Sequence, residues 1–506
     1  MHAKIQNMEE AKMSHKMFER SSGVLLHVTS LPSRFGVGDL GSSAVEWIDW
    51  LSTAGVKYWQ VLPLGPTGYG DSPYSSLSSF AGNTTMVAPE SLASDGLLSS
   101  SELMSVGNEE SVEFDTVKRA KDAWLRLAHS RLEGGLRAEF EIYREVESDW
   151  LAPYALFMAL KEAHGGQSWS TWPRDLRHRQ SDAIAAARTA LADEIEVVEF
   201  SQFAFYRQLN RLREHAKARG VEIIGDVPLY VAPDCVDAWV DPQLFSLDDE
   251  TGEPTLVAGV PPDMFSKVGQ HWGNPLYQWE AHAEDGYRWW FDRLEGFFRQ
   301  ADVIRIDHFT GLVRYYEIQG SATDASDGVW RDGPGLPFFD EMNRRMGEMP
   351  IILEDLGPIP EIVEGVRRRV GYPGMAIVQE GFAGDKGSLP SNLRGDRVAY
   401  TGTHDNDTAL GRFLGETDEY REAALAVTGG SAETYSWDLL RELWASQALI
   451  TIVPMQDLLG LGTEARMNYP GTAEGNWRWR MTDGAATPEL AERIGMLNGS
   501  HGRLGG

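Results

Sequence analysis

The chain has 506 residues, 42% hydrophobic and 24% charged, ordinary globular values that exclude disordered, collagen-like and disulfide-scaffold classes. Its 46 basic and 75 acidic residues leave a net charge of −29, so no nucleic-acid partner and no peripheral membrane role is expected of a surface that repels phosphates and anionic lipids. One cysteine, Cys235, cannot form an internal disulfide, which fits a cytoplasmic protein.

Residues 1–20 carry charges but no apolar stretch, so they read as a disordered leader rather than a secretory signal. No later apolar run reaches the ~18 residues of a membrane span. Eight short runs rich in Val, Ile, Leu and aromatics follow in order: GVLLHVTSLP from Gly23, YWQVLPLGP from Tyr58, VEIIGDVPLYV from Val221 and VIRIDHFTG from Val303, then IILEDLG from Ile351, GMAIVQEGF from Gly374, VAYTGTHDN from Val398 and LITIVPMQDLLG from Leu449. Segments with apolar residues at three- and four-residue spacing lie between most of them, at 42–53, 201–219, 286–299, 361–370 and 437–447. Near-continuous apolar strands alternating with amphipathic helices predict an α/β fold, a (β/α)8 TIM barrel. A length suggesting about three domains then becomes one barrel, 21–506, enlarged by insertions. The first, about 84–198, carries its own helical patterns; the second, about 232–284, is irregular and rich in Pro, Asp and Gly, and is expected above the C-terminal rim. Two separate α/β domains are the alternative, but no composition-shifted linker divides the chain.

Barrel sites lie at the C-terminal ends of the strands, where this chain is unusually acidic. The third run ends in Asp226, the fourth in Arg305 and Asp307, the fifth in Glu354 and Asp355, and the seventh in His404, Asp405 and Asp407. A single such acid reads as a helix cap or loop residue, but four of the eight strand ends carry one and converge on one mouth. Converging carboxylates suit glycosidic chemistry, one as nucleophile and one as acid; Mg²⁺ binding is the weaker option, since no phosphate loop or His-Glu metal motif accompanies them. Arg305 and Asp307, two apart on a strand, share a face, so the guanidinium favours an ionised carboxylate. Glu354, with apolar neighbours and Asp355 beside it, is expected to hold its proton, as a general acid does. Two loops, 66–83 with Tyr69, Tyr74 and Phe80, and 269–279 with Trp272 and Trp279, read as platforms on which sugar rings stack.

These segments, together with SSGVLLHVTSLPS, WQVLPLGPTGYGDSPY, GDVPLYVAPDCVDAW, PPDMFS, QHWGNPLYQW, YPGMAIVQEGF, TGTHDNDT, ARMNYPGT and GNWRWR, resemble the 4-alpha-glucanotransferases called amylomaltase or disproportionating enzyme, of the alpha-amylase superfamily. The resemblance covers nearly all of the chain after the leader. It implies retaining transfer between maltooligosaccharides and other 1,4-alpha-glucans, with no cofactor and no metal. It implies Asp307 as nucleophile, Glu354 as acid and Asp405 as transition-state stabiliser, the first two carboxyl groups being about 5–5.5 Å apart. Arg305 and His404 resemble donors to the sugar at the cleavage point, and Ser72, Tyr74, Trp272, Asp355 and Asn468 resemble further substrate contacts. A departure is Ser75, where the family pattern carries glutamine. A hydrolase of the same superfamily and a catalytically dead carbohydrate-binding barrel are the competing expectations.

Overall fold

The computed structural model describes residues 17–262, 267–357 and 359–505. Twelve strands occur in it: β1 (Ser21–Leu25), β2 (Tyr58–Gln60), β3 (Glu222–Val227), β4 (Leu256–Val260), β5 (Gln270–Pro275), β6 (Val303–Ile306), β7 (Arg314–Gln319), β8 (Val329–Asp332), β9 (Ile351–Leu353), β10 (Gly374–Ile377), β11 (Arg397–Tyr400) and β12 (Ile450–Pro454). Eight of them close a barrel in the order β1-β12-β11-β10-β9-β6-β3-β2, and every neighbouring pair is parallel. Each of the eight apolar runs supplies one of these strands. Strands β6, β9, β10 and β12 are buried at every residue, as a parallel sheet covered on both faces requires.

Amphipathic helices cover the outside. Ser42–Thr53 and Glu361–Val370 have the bounds their apolar spacing predicts, and the latter ends at Gly371 in the left-handed conformation that suits a helix C-terminus (φ 79°). The helix expected at 201–219 is longer, Ala192–Ala218, because the apolar spacing continues back through Ile195, and Asp193 and Glu194 favour its first turn. It runs from the barrel wall at β3 out to the inserted helices Phe114–Ser130, Gly134–Val146 and Ser148–Ala163, which pack along it.

The second insertion, expected to be irregular, contains β4 and β5, which join β7 and β8 in an antiparallel sheet of order β5-β4-β7-β8. Two of its strands lack an apolar signature, β8 being exposed throughout and β5 half polar, whereas β4 (LVAGV) is apolar and largely buried. Of the expected leader, residues 1–16 lie outside the described residues. Phe18 is buried, and Arg20 donates to the carbonyls of Trp444, Ser446, Ala448 and His501, so the packed chain begins before Ser21. Most of the aromatic excess is core: of 17 tryptophans only Trp272 and Trp330 are exposed.

Candidate active site

Strand register brings the acidic strand ends together. Asp226 on β3 lies opposite Arg305 on β6, and Ile306 lies opposite Leu353 on β9. The ladder continues one step past the strands: Glu354 N–H donates to the Ile306 carbonyl, and Phe309 N–H donates to that of Glu354 (3.0 Å each). Asp307 and Glu354 are therefore neighbours on the mouth of the barrel.

Arg305 is buried beneath Asp307. Its Nη1 lies 2.9 Å from Asp307 Oδ1 and 2.7 Å from both oxygens of Asp226, and the Tyr74 hydroxyl donates to Asp226 Oδ2 (2.7 Å). Tyr74, Asp226, Arg305 and Asp307 thus form one chain of contacts from loop to carboxylate, in which two acids hold the guanidinium charged and oriented.

Glu354 is held differently. Its Oε2 accepts the His308 backbone N–H (2.7 Å) and its Oε1 that of Leu356 (2.9 Å). His308 adopts a left-handed backbone (φ 44°), unusual for a residue other than glycine, and that turn couples the residue after Asp307 to the Glu354 carboxyl. Burial pushes the Glu354 carboxyl up to about 7, with Asp307 adding to the rise and Arg305 and the two backbone donors opposing it. The like charge that acts on Glu354 is Asp307 across the mouth and not the adjacent Asp355.

Asp405 enters from the turn after β11. Asn468 Nδ2 donates to its Oδ1 (2.7 Å), His404 Nε2 stands 3.4 Å from its Oδ2, and Arg466 Nη2 donates to its backbone carbonyl (2.8 Å). His404 stacks on Tyr74 with ring centroids 5.0 Å apart. Above the carboxylates opens a cleft of about 1420 Å³, whose lining includes Ser72, Tyr74, Trp272, Asp307, Asp405 and Asn468. Trp272 meets the His308 ring edge to face at 5.0 Å. A groove of this size, floored by carboxylates and walled by aromatics, accommodates several sugar rings of a neutral polymer.

The family model for 4-alpha-glucanotransferase matches residues 26–486. The chain belongs to the 4-alpha-glucanotransferase family. It is 44% identical to the 4-alpha-glucanotransferase of Thermus thermophilus, over 94% of this chain and 97% of that one. It is 40% identical to that of Synechocystis, over 96% and 98%. Among solved structures, it superposes on the amylomaltase of Streptococcus agalactiae in complex with acarbose with a TM-score of 0.93 at 36% identity, covering 96% of this chain and all of that one.

Within this glucanotransferase, Asp355 is not where the resemblance led us to expect it. Adjacent residues on an extended strand face opposite ways, so Glu354 turns to the mouth and Asp355 turns to the outer wall. There it is buried against Arg367 (3.1 Å) and Arg397, and it accepts the Met375 N–H (2.8 Å). Two expected platforms are also corrected. Trp279 is buried against Tyr277, His282 and Trp290, and the Phe80 ring packs over the helix Arg288–Gln300 at Gly296. Tyr69, 78% exposed, and Tyr74 do line the cleft. The residues sequence reading passed over are His308, Arg466 and Trp477. Arg466 stands two residues before Asn468 in ARMNYPGT, and Trp477, whose ring is 5.9 Å from both Tyr74 and His404, stands in GNWRWR, so both lie in motifs that carry the resemblance but were given no role. Among the described residues no group of three or more His, Cys, Asp or Glu side chains could hold a metal, and no helix is long and apolar enough to cross a membrane.

Proposed function

We propose that this 4-alpha-glucanotransferase works by double displacement: Asp307 attacks the anomeric carbon to form a covalent glucosyl-enzyme while Glu354 protonates the leaving oxygen. The 4-hydroxyl of a second glucan then attacks the intermediate, with Glu354, now ionised, accepting its proton. The observation that carries this reading is the contrast between the two carboxyl groups. Asp307 stands at the mouth with a buried guanidinium 2.9 Å away, whereas Glu354 is held by two backbone N–H groups and raised by burial to about 7, so it gives and takes a proton near neutral pH. Asp405, oriented by Asn468, supports the oxocarbenium-like transition state by its charge. Arg305 acts from beneath as the partner of Asp307, and His404, Ser72, Tyr74, Trp272 and Asn468 are substrate contacts.

Transfer outruns hydrolysis when bound sugar excludes water and orients the acceptor hydroxyl. The loop with Tyr69, Gly70 and Ser72 and the strand with Gln270 and Trp272 both line the cleft and supply its walls. The substrates are 1,4-alpha-glucans of the starch and glycogen type, used in the cytoplasm. Incubation with pure maltotriose tests the reading: glucose and a ladder of longer maltooligosaccharides are expected, and steady glucose release without the ladder would falsify it.

A further inference from the structure

The segment that carries His404 and Asp405 leaves β11 after Tyr400 and re-enters regular structure at the helix Ala409–Gly415. It folds over itself through Asn406, whose Oδ1 accepts the Thr403 N–H (2.9 Å), and Thr408, whose hydroxyl oxygen accepts the Gly411 N–H (3.0 Å). These bonds shape the segment but do not tie it to the barrel. Gln379 after β10 holds its middle, donating to the Asp407 carbonyl (3.1 Å), and Asp457, in the short helix Met455–Leu458 that follows β12, ties down both ends. Its Oδ2 accepts the Thr401 hydroxyl (2.6 Å) and its Oδ1 accepts the Ala409 N–H (2.7 Å), so each oxygen grips one end of the segment.

Asp457 is 1% exposed and does not line the cleft, so it touches no substrate. No cation is among the groups acting on it; burial pushes its carboxyl up to about 6, opposed by the two hydrogen bonds, and the nearby charge of Asp407 adds to the rise. An apolar residue of similar size would fill this position at lower cost, so what the carboxylate contributes is two acceptors for two donors. The outer face of the same segment is held by residues 463–468 of the same connection: Thr463 donates to Asp407 Oδ2 (2.8 Å), and Arg466 and Asn468 reach Asp405. The connection after β12 thus grips the segment after β11 from beneath and from above.

We propose that Asp457 is a positioning residue for glucan transfer, its buried carboxylate clasping both ends of residues 401–409 and so fixing where Asp405 and His404 stand over the cleft. The inference rests on the transfer reading given above, with Asp405 acting on the sugar. Displacing a catalytic group by about 1 Å costs about 100-fold in rate. Because Asp405 stabilises the transition state more than the bound substrate, the loss falls on kcat and not on KM.

The test is initial-rate disproportionation of maltotriose by wild type, D457A, D457N and T401V, each first shown to be folded by circular dichroism. Asp457→Ala removes both acceptors, and kcat is expected to fall about 10- to 100-fold with KM within about threefold. Thr401→Val keeps shape and removes one link, with an intermediate loss of kcat. Asp457→Asn keeps one acceptor for Ala409 and turns its amide to the Thr401 oxygen, so it should recover most of the rate. A folded D457A with wild-type kcat overturns the proposal, as does D457N no better than D457A, because then charge and not the two-ended clasp matters. If D457A does not fold, T401V decides alone: reduced kcat at unchanged KM supports the clasp, and wild-type kcat overturns it. A wild-type enzyme that produces no ladder removes the transfer reading and this inference with it, a result distinct from failure of the variants alone.

Discussion

With Glu354 as the proposed acid, its raised carboxyl is expected to set the pH range of the reaction. A group near 7 is protonated in about nine-tenths of molecules at pH 6 and about one-tenth at pH 8, so kcat/KM should fall about tenfold across that interval. The sign follows from the role: the acid works while protonated, so activity is kept below about 7 and lost above it. At its ordinary value of 4.5 the same carboxyl would be only about 3% protonated at pH 6, with the loss of activity centred far lower. Glu354→Gln removes the proton and should cost about 100- to 10,000-fold in kcat on maltotriose. Glucosyl fluoride, whose leaving group needs no proton, should restore formation of the glucosyl-enzyme to within about tenfold of wild type. The same burial bears on stability. Because the folded-state value exceeds the unfolded one, the neutral carboxyl favours the folded chain at low pH, and that contribution is lost as pH rises from 4.5 through about 7, by at most about 3 kcal/mol. Rate measurements on both donors from pH 5 to 9 check the scheme. A kcat/KM profile flat from 6 to 8, or an E354Q variant that keeps the same alkaline limb, refutes burial of Glu354 as the origin of the acid.

Other outcomes follow from neighbouring contacts. Asp307→Asn should abolish the maltotriose ladder while calorimetry still registers maltooligosaccharide binding; measurable turnover would contradict the nucleophile assignment. Asn468→Ala removes the 2.7 Å bond to Asp405 and should lower kcat by about tenfold, the worth of one hydrogen bond to a charged group, and raise KM as well because Asn468 also contacts the substrate. Tyr74→Phe deletes the donor to Asp226, leaving the pair with Arg305 less constrained, and a kcat loss of about 10- to 100-fold is expected in the same assay. Asp355→Asn weakens the buried pairs with Arg367 and Arg397, which keep Glu364 and Asp396 as partners, and should cost about 1–3 kcal/mol of stability, seen as a lower midpoint of thermal unfolding. Its KM for maltotriose should stay unchanged where the protein is folded; a raised KM would return Asp355 to the substrate.

Much of the fold and part of the site were legible in the residues themselves. A parallel barrel buries its strands on both faces, which forces eight apolar runs, and each run ends at the one rim where polar residues can meet a ligand. That logic put Asp226, Asp307, Glu354, Asp355, Asp405 and Asp407 at strand ends, the resemblance singled out Asp307, Glu354 and Asp405 among them, and the two-residue spacing of Arg305 and Asp307 put those two on one face. The second sheet escaped it because only β4 is a short apolar run, while β8 is exposed throughout and β5 is half polar, so neither of those shows the alternation that marks a half-buried strand.

What the sequence by itself determined is the family, the barrel and the acidic character of its strand ends, because these depend on local patterns repeated along the chain. What only the tertiary structure decided is where each polar group points and what it meets. Glu354 and Asp355 are chemically alike and adjacent, yet the pleat sends one to the cleft and the other to two arginines on the outer wall. Trp272 on β5 and Trp279 stand only seven residues apart, and one lines the cleft while the other is core. Asp457 reaches Thr401 and Ala409 across more than forty positions of sequence. Contacts of that kind are set by how strands and loops close around the barrel, and no local pattern of residues encodes them.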